Sequence, residues 1–160
     1  MKNTIIVLCL INITTFAQNK RELLREGNNL YQDSLYNDSE MKYRKSLEKD
    51  QDYIKASFNM ADAIYKQNRY NESSSLFNAL KDNTDDTNLL SKIHHNLGNS
   101  LFQEQKFEEA IDAYKDALRL NPNDHETRYN LALAQKENKK EEQKEEQKEE
   151  QKEEQKEEQK

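Results

Sequence analysis

Across 160 residues the chain has two glycines, Gly27 and Gly98, and one proline, Pro122, and all three fall at matching places of one repeating pattern. Glycine and proline are the residues that helices tolerate least, so a helical repeat cannot scatter them at random. Self-alignment gives units at 20–53, 54–87 and 91–124, each 34 residues long, with three extra residues before the third. The two glycines are 71 residues apart, one 34-residue period plus one of 37. A period in this range belongs to a stacked helical array, in which each unit is one supersecondary element that buries its apolar face only against its neighbours.

The third unit carries the pattern most fully. Leu97-Gly98 is followed by Leu101, Phe107, Ala110, Tyr114, Ala117 and Pro122, with His94 where an aromatic residue would open the motif. This series resembles the tetratricopeptide repeat (TPR), whose pattern is W-x2-L-G-x2-Y, then A-x3-F, then P. The second unit is in register through Met60-Ala61, Ile64, Tyr70, Ser73, Phe77 and Leu80. The first is in register through Glu26-Gly27, Leu30, Tyr36, Ser39, Tyr43 and Ser46. Arg128, Leu131-Ala132 and Gln135 open a fourth unit that has no second helix, so 125–138 reads as the solvating cap that such arrays require. The resemblance implies an all-α, right-handed TPR solenoid over 18–138, with three helix-turn-helix repeats and a C-terminal cap helix. Gly98 is expected to let the two helices of its hairpin approach, with Tyr114 filling the wedge between them.

The two ends are different material. Residues 1–17 hold one basic residue, an apolar stretch from Ile5 to Ile13, and Thr15-Phe16-Ala17 before Gln18. This is the layout of a secretory leader cut after Ala17. The apolar stretch is shorter than the roughly 20 residues that a membrane span needs. The one cysteine, Cys9, lies inside the leader and follows Leu8, which is too large for a lipoprotein signal. The mature chain then has no disulfide, thiol chemistry or cysteine metal site. At the other end, 141–160 is five copies of Glu-Glu-Gln-Lys, following Lys139-Lys140. Glu–Lys pairs three apart favour a helix, but with no apolar face the segment has nothing to bury. It reads as a frayed, solvated extension of the cap helix, either a solubilising tail or a spacer.

The tail carries −5 of the chain's −6, which leaves the array close to neutral. That balance offers no basic stripe for nucleic acid, and nothing supports membrane insertion of the mature chain. His94 and His95 are adjacent and point about 100° apart on a helix, so they cannot share a metal, and His125 stands alone. No nucleophile-and-base set or phosphate-cradling loop is present. The tyrosines recur at repeat places such as Tyr36, Tyr43, Tyr70 and Tyr114 and read as core filler. The expectation is a non-enzymatic protein without cofactor or metal.

In a TPR array the first helices of successive units line a concave groove that holds peptides or partner helices. Asn59, Asn96 and Asn130 occupy one repeat place on those helices, and Asn28 and Asn99 lie one turn along on the same face. A carboxamide there suits a peptide backbone because it donates and accepts at once; the bland alternative is that these asparagines cap or solvate helices. Lys55 and Lys92 are expected near the groove entry, with Leu24, Phe58 and Tyr65 offering apolar contact. TPR domains that clamp chaperone C-terminal carboxylates use two asparagines among several cations. Asn28, Asn59 and Lys92 match part of that set, but Leu24 and Asn96 stand where two more basic residues belong, which argues against the clamp.

Leader, small array and charged tail together resemble the TPR protein of Bacteroides aerotolerance (Bat) operons. That resemblance implies a periplasmic adaptor working beside membrane proteins with von Willebrand factor A domains. A scaffold for another envelope assembly, a holdase-type chaperone with the tail as bristle, and an enzyme regulator are the alternatives.

Overall fold

The computed structural model describes residues 19–158, so the expected leader and Cys9 lie outside the described residues. Seven helices follow in order: α1 (Lys20–Gln32), α2 (Tyr36–Lys49), α3 (Ile54–Lys66), α4 (Tyr70–Leu80), α5 (Thr87–Gln103), α6 (Phe107–Leu120) and α7 (His125–Glu158). The described residues contain no strand. Each helix packs on the next, and α1, α3, α5 and α7 also touch in succession. The result is a solenoid of three helix hairpins closed by a fourth first helix, as the repeat pattern predicts.

The hairpin turns are built identically without glycine. Ser34, Asn68 and Gln105, at one repeat place, have φ of 62°, 62° and 63°. In each turn the next amide reaches back five residues to a helix carbonyl: Leu35 N to Leu30 O at 2.9 Å, Arg69 N to Ile64 O at 3.3 Å, Lys106 N to Leu101 O at 3.0 Å. This is the Schellman closure of a helix end. Aromatic pairs staple each turn edge to face: Tyr31 with Tyr36, Tyr65 with Tyr70 and Phe102 with Phe107, all with centroids 5.3 Å apart.

The glycines are needed within the hairpins rather than at the turns. A Cβ on Gly27 would lie 2.5 Å from the Tyr43 ring, and one on Gly98 would lie 2.6 Å from the Tyr114 ring. Both rings are buried. Hydroxyls tie the hairpins further, with Ser39 donating to Gly27 O at 2.8 Å and Ser73 to Ala61 O at 3.0 Å. The core forms two clusters, one around Tyr43, Met60 and Ile64 and one around Phe77, Ile93, Leu97 and Tyr114, with Leu76 packed against both. This is the thin, continuous core of a repeat stack.

A carboxylate bridges repeats at each of two junctions away from the groove. Glu40, 7% exposed, accepts from Arg69 at 2.6 Å, Gln67 at 2.8 Å and Arg44 at 2.6 Å. Burial works to raise its pKa, but the bonds from Gln67, Arg44 and Arg69 outweigh it and hold the carboxyl below its ordinary value. Glu104 does the same at the next junction, where bonds from Lys106, Ser74 and Asn71 overcome burial.

Two boundaries differ from the repeat arithmetic. The third unit begins at Ser91 in register, but α5 starts at Thr87, because Asp86 Oδ1 accepts from Asn88 N at 2.9 Å and Leu89 N at 3.2 Å. The three extra residues are thus absorbed into a longer first helix. The cap and the tail are one helix: α7 runs 34 residues, about 51 Å at 1.5 Å per residue, with no break at Asn138. Asp124 starts it by accepting from Thr127 N at 3.0 Å.

Candidate functional site

The groove is lined by α1, α3, α5 and α7, and the 34- and 37-residue spacings place equivalent side chains side by side. At the first junction Asn59 Nδ2 donates to Asn28 Oδ1 at 2.8 Å, and the Tyr43 hydroxyl donates to the same oxygen at 2.9 Å. At the last junction Asn130 Nδ2 donates to Asn99 Oδ1 at 3.0 Å and the Tyr114 hydroxyl does so at 2.8 Å. The two ends therefore carry the same triad of tyrosine and two carboxamides. Close packing on glycine brings each tyrosine ring far enough across the hairpin for its hydroxyl to meet the groove asparagine. Tyr43 and Tyr114 are thus core residues with a polar tip in the site.

The middle junction is different. Asp62 occupies the place of Asn28 and Asn99, Phe77 the place of the two tyrosines, and Ala61 the place of the two glycines. The Tyr31 hydroxyl lies beside Asp62, and burial first, then interaction with the Asp62 carboxylate, pushes the Tyr31 pKa up. No ion pair involves Asp62 among the described residues. Asn96 is not brought to another asparagine; it shares with Asp62 a hollow of about 280 Å³ whose walls include Tyr31, Tyr65, His95 and Glu126. A second hollow of about 290 Å³ continues along Tyr65, Asn99, Phe102 and Asn130. A third, of about 190 Å³, lies against Asn28, Tyr31 and Asn59. Shared walls (Tyr31, Tyr65, Asp62 and Asn99) join the three into one trough.

His95 belongs to this network. Its Nδ1 lies 2.6 Å from Thr127 Oγ1 and its Nε2 lies 3.0 Å from Asn99 Nδ2. With the Asn99 amide donating, Nδ1 carries the proton and donates to the threonine. His94 instead points into the helix pair with a buried, unpaired Nδ1, 3.9 Å from Asp116. Burial there pushes its pKa down, aided by Lys81 and Arg119.

Of the candidates read from the sequence, Asn28 with Asn59 and Asn99 with Asn130 are brought together, and Asn96 and Tyr65 line the trough. Phe58 packs edge to face on Phe77, 5.5 Å between centroids, and lines none of the three hollows. Its apolar surface is used between α3 and α4 rather than offered to the groove. Leu24 is likewise buried in the first core cluster. Lys55 and Lys92 are exposed and line none of the hollows either. Tyr31, Asp62, Glu126 and His95 were not among the residues the sequence pointed to. For Asp62 a signal existed, since it aligns with Asn28 and Asn99. Glu126 enters only because α7 folds back beside α5.

Among the described residues, no three His, Cys, Asp or Glu side chains are placed to hold a metal. No described helix is long and apolar enough to cross a membrane.

Residues 98–139 match the family model described as TPR repeat. Human anaphase-promoting complex subunit 7 is 32% identical over 94 residues, 58% of this chain. The match spans 16% of that relative's length. Among solved structures, the first TPR of Spaghetti (RPAP3) bound to an HSP90 peptide superposes with a TM-score of 0.69 at 24% identity, covering 74% of this chain and 92% of that one. The first TPR domain of human RPAP3 gives 0.71 at 22%, covering 78% and 95%. Residues 98–139 thus carry a TPR repeat, and the array has the fold of a TPR solenoid.

Proposed function

We propose that this chain is a non-catalytic adaptor whose concave groove holds an extended segment of a partner protein. The observation that carries this reading is the row of carboxamides along the trough, paired in advance at both ends. Such groups meet a peptide backbone with little reorganisation, which lowers the ordering cost of binding. The RPAP3-type neighbour holds a peptide, SRMEEVD, from HSP90. The groove here departs from carboxylate capture, because Leu24 and Asn96 replace two cations and Asp62 would repel a terminal carboxylate.

The leader-like 1–17 favours an exported protein, cut after Ala17 and working in the periplasm. The tail and overall plan favour a place beside von Willebrand factor A membrane proteins in an aerotolerance complex. The long charged helix α7 favours a second reading, a holdase kept soluble by its tail.

In-cell crosslinking of the C-terminally tagged chain in its host, followed by mass spectrometry, tests both. The adaptor predicts a short partner list, headed by von Willebrand factor A proteins, that is lost in Asn59→Ala/Asn96→Ala. A long list of unrelated clients, indifferent to the groove and reduced by deleting 141–160, would replace the adaptor with the holdase.

A further inference from the structure

The middle of the groove differs from its two ends in the charge it presents. At both outer junctions the groove oxygen belongs to an amide that already accepts two hydrogen bonds. At the central junction it belongs to the Asp62 carboxylate, which has the Tyr31 hydroxyl beside it and no ion pair among the described residues. Phe77 brings no hydroxyl to it. The described hydrogen bond at Asn96 outside the helix ladder uses its backbone carbonyl, which accepts from Ser100 at 2.9 Å. Asn96 lines the hollow it shares with Asp62.

We infer that the partner segment carries an arginine, which seats on Asp62 between Tyr31 and Tyr65 while Asn96 holds the adjoining backbone. This rests on the groove reading above and names its specificity. A carboxylate accepts a guanidinium through two parallel bonds, and such pairs are among the stronger polar contacts. Tyr31 and Tyr65 supply aromatic surface against which a flat guanidinium packs better than a lysine ammonium. Glu126, on the opposite wall, adds a second negative charge. Lys66, one turn after Asp62, is the opposing cation; it is exposed and its Nζ sits 5.8 Å from the Tyr65 ring centre. Lys66 also lines this hollow but makes no ion pair with Asp62, so it competes with the incoming guanidinium and its removal should tighten binding.

The test uses the full chain and a random dodecapeptide library displayed between fixed flanks, so that no free terminal carboxylate is offered. Peptides enriched on the wild-type chain are resynthesised and titrated by fluorescence anisotropy. The expected result is an arginine at one fixed position, with affinity falling about tenfold or more in Asp62→Asn and rising in Lys66→Ala. Replacing the peptide arginine with glutamine should cost as much, and the two changes together little more than either alone. Asp62→Asn restores the residue type of the outer junctions, and unchanged helicity by circular dichroism checks its fold. Peptides that lose binding in Asn28→Ala/Asn99→Ala but share no basic residue, or ignore Asp62→Asn, would overturn the arginine inference and leave the groove reading standing. Failure to enrich any peptide would overturn both.

Discussion

The outer hairpins and the central one use the same backbone with opposite side-chain logic. At Gly27 and Gly98 the absence of a Cβ admits a tyrosine ring, and the tyrosine hydroxyl then locks a pair of groove asparagines. At the centre Ala61 restores the Cβ, Phe77 restores an apolar ring, and the groove atom becomes the Asp62 carboxylate. Three repeat places have changed together. The outer junctions close their own hydrogen bonds, whereas the central one leaves a charge and a carboxamide open to the groove. Equivalent places in a repeat protein can thus differ in what they offer, the outer ones carboxamides already held in place and the central one an open charge.

This comparison can be broken by swapping its parts. The largest effect is expected from Gly98→Ala, which sets a methyl against the Tyr114 ring and should cost about 1–3 kcal/mol despite better helix propensity. Urea melts would show it, and a neutral result would mean that the glycines are not there for the ring. The reverse change, Ala61→Gly, should also destabilise, by about 1 kcal/mol or slightly more, because the centre has no ring waiting for the space.

Acid should act on both junctions away from the groove. The pKa values of Glu40 and Glu104 are lowered in the fold, so the unfolded chain takes up protons first as pH falls. Their stabilisation is complete above the ordinary carboxylate value of 4.5 and is lost as pH drops through the depressed folded values. Thermal melts between pH 7 and pH 3 should therefore decline in two stages, first below the ordinary histidine value of 6.5, because burial holds His94 neutral in the fold, and then below 4.5 as these carboxylates take up protons. Glu40→Gln/Glu104→Gln should flatten that lower limb, and an unchanged limb would assign acid sensitivity elsewhere.

Removing the hydroxyl alone, in Tyr114→Phe, should cost about 1 kcal/mol and should leave the central hollow's ligand preference unaltered. A loss of arginine-peptide binding in that variant would show that the junctions do not act separately. Smaller still, Gln105→Gly should stabilise by about 0.5–1 kcal/mol, since Gln105 holds a left-handed conformation that glycine adopts without strain. Asp62→Asn should shift the melting free energy by no more than about 0.5 kcal/mol. A larger loss would make Asp62 a structural residue and remove the distinction between centre and ends.

Helix order, hairpin partnership and the glycine–tyrosine contact were legible through the resemblance of the third unit, Leu97-Gly98 to Pro122, to the TPR pattern and the 34-residue period that carries it to the other units. The asparagines were legible as a row but not as pairs. Asn28 meets Asn59, and Asn99 meets Asn130, through spacings of 31 residues that cross from one repeat to the next. The contact of Phe58 with Phe77 is of the same kind, since it joins the two helices of a hairpin and is not visible from the place of Phe58 on its own helix.

The sequence by itself therefore determined the period, the helices and the residues at each repeat place, since these follow from local propensity and apolar spacing. Only the tertiary structure decided which polar groups satisfy one another and which are left facing the groove. Hydrogen bonds depend on positions within a few tenths of an ångström, and those positions are set by how one repeat settles on the next. The tail shows the same division. Its charge, its lack of an apolar face and its extension of the cap helix are properties of composition, whereas the unbroken run to Glu158 as one 34-residue helix is a property of the fold.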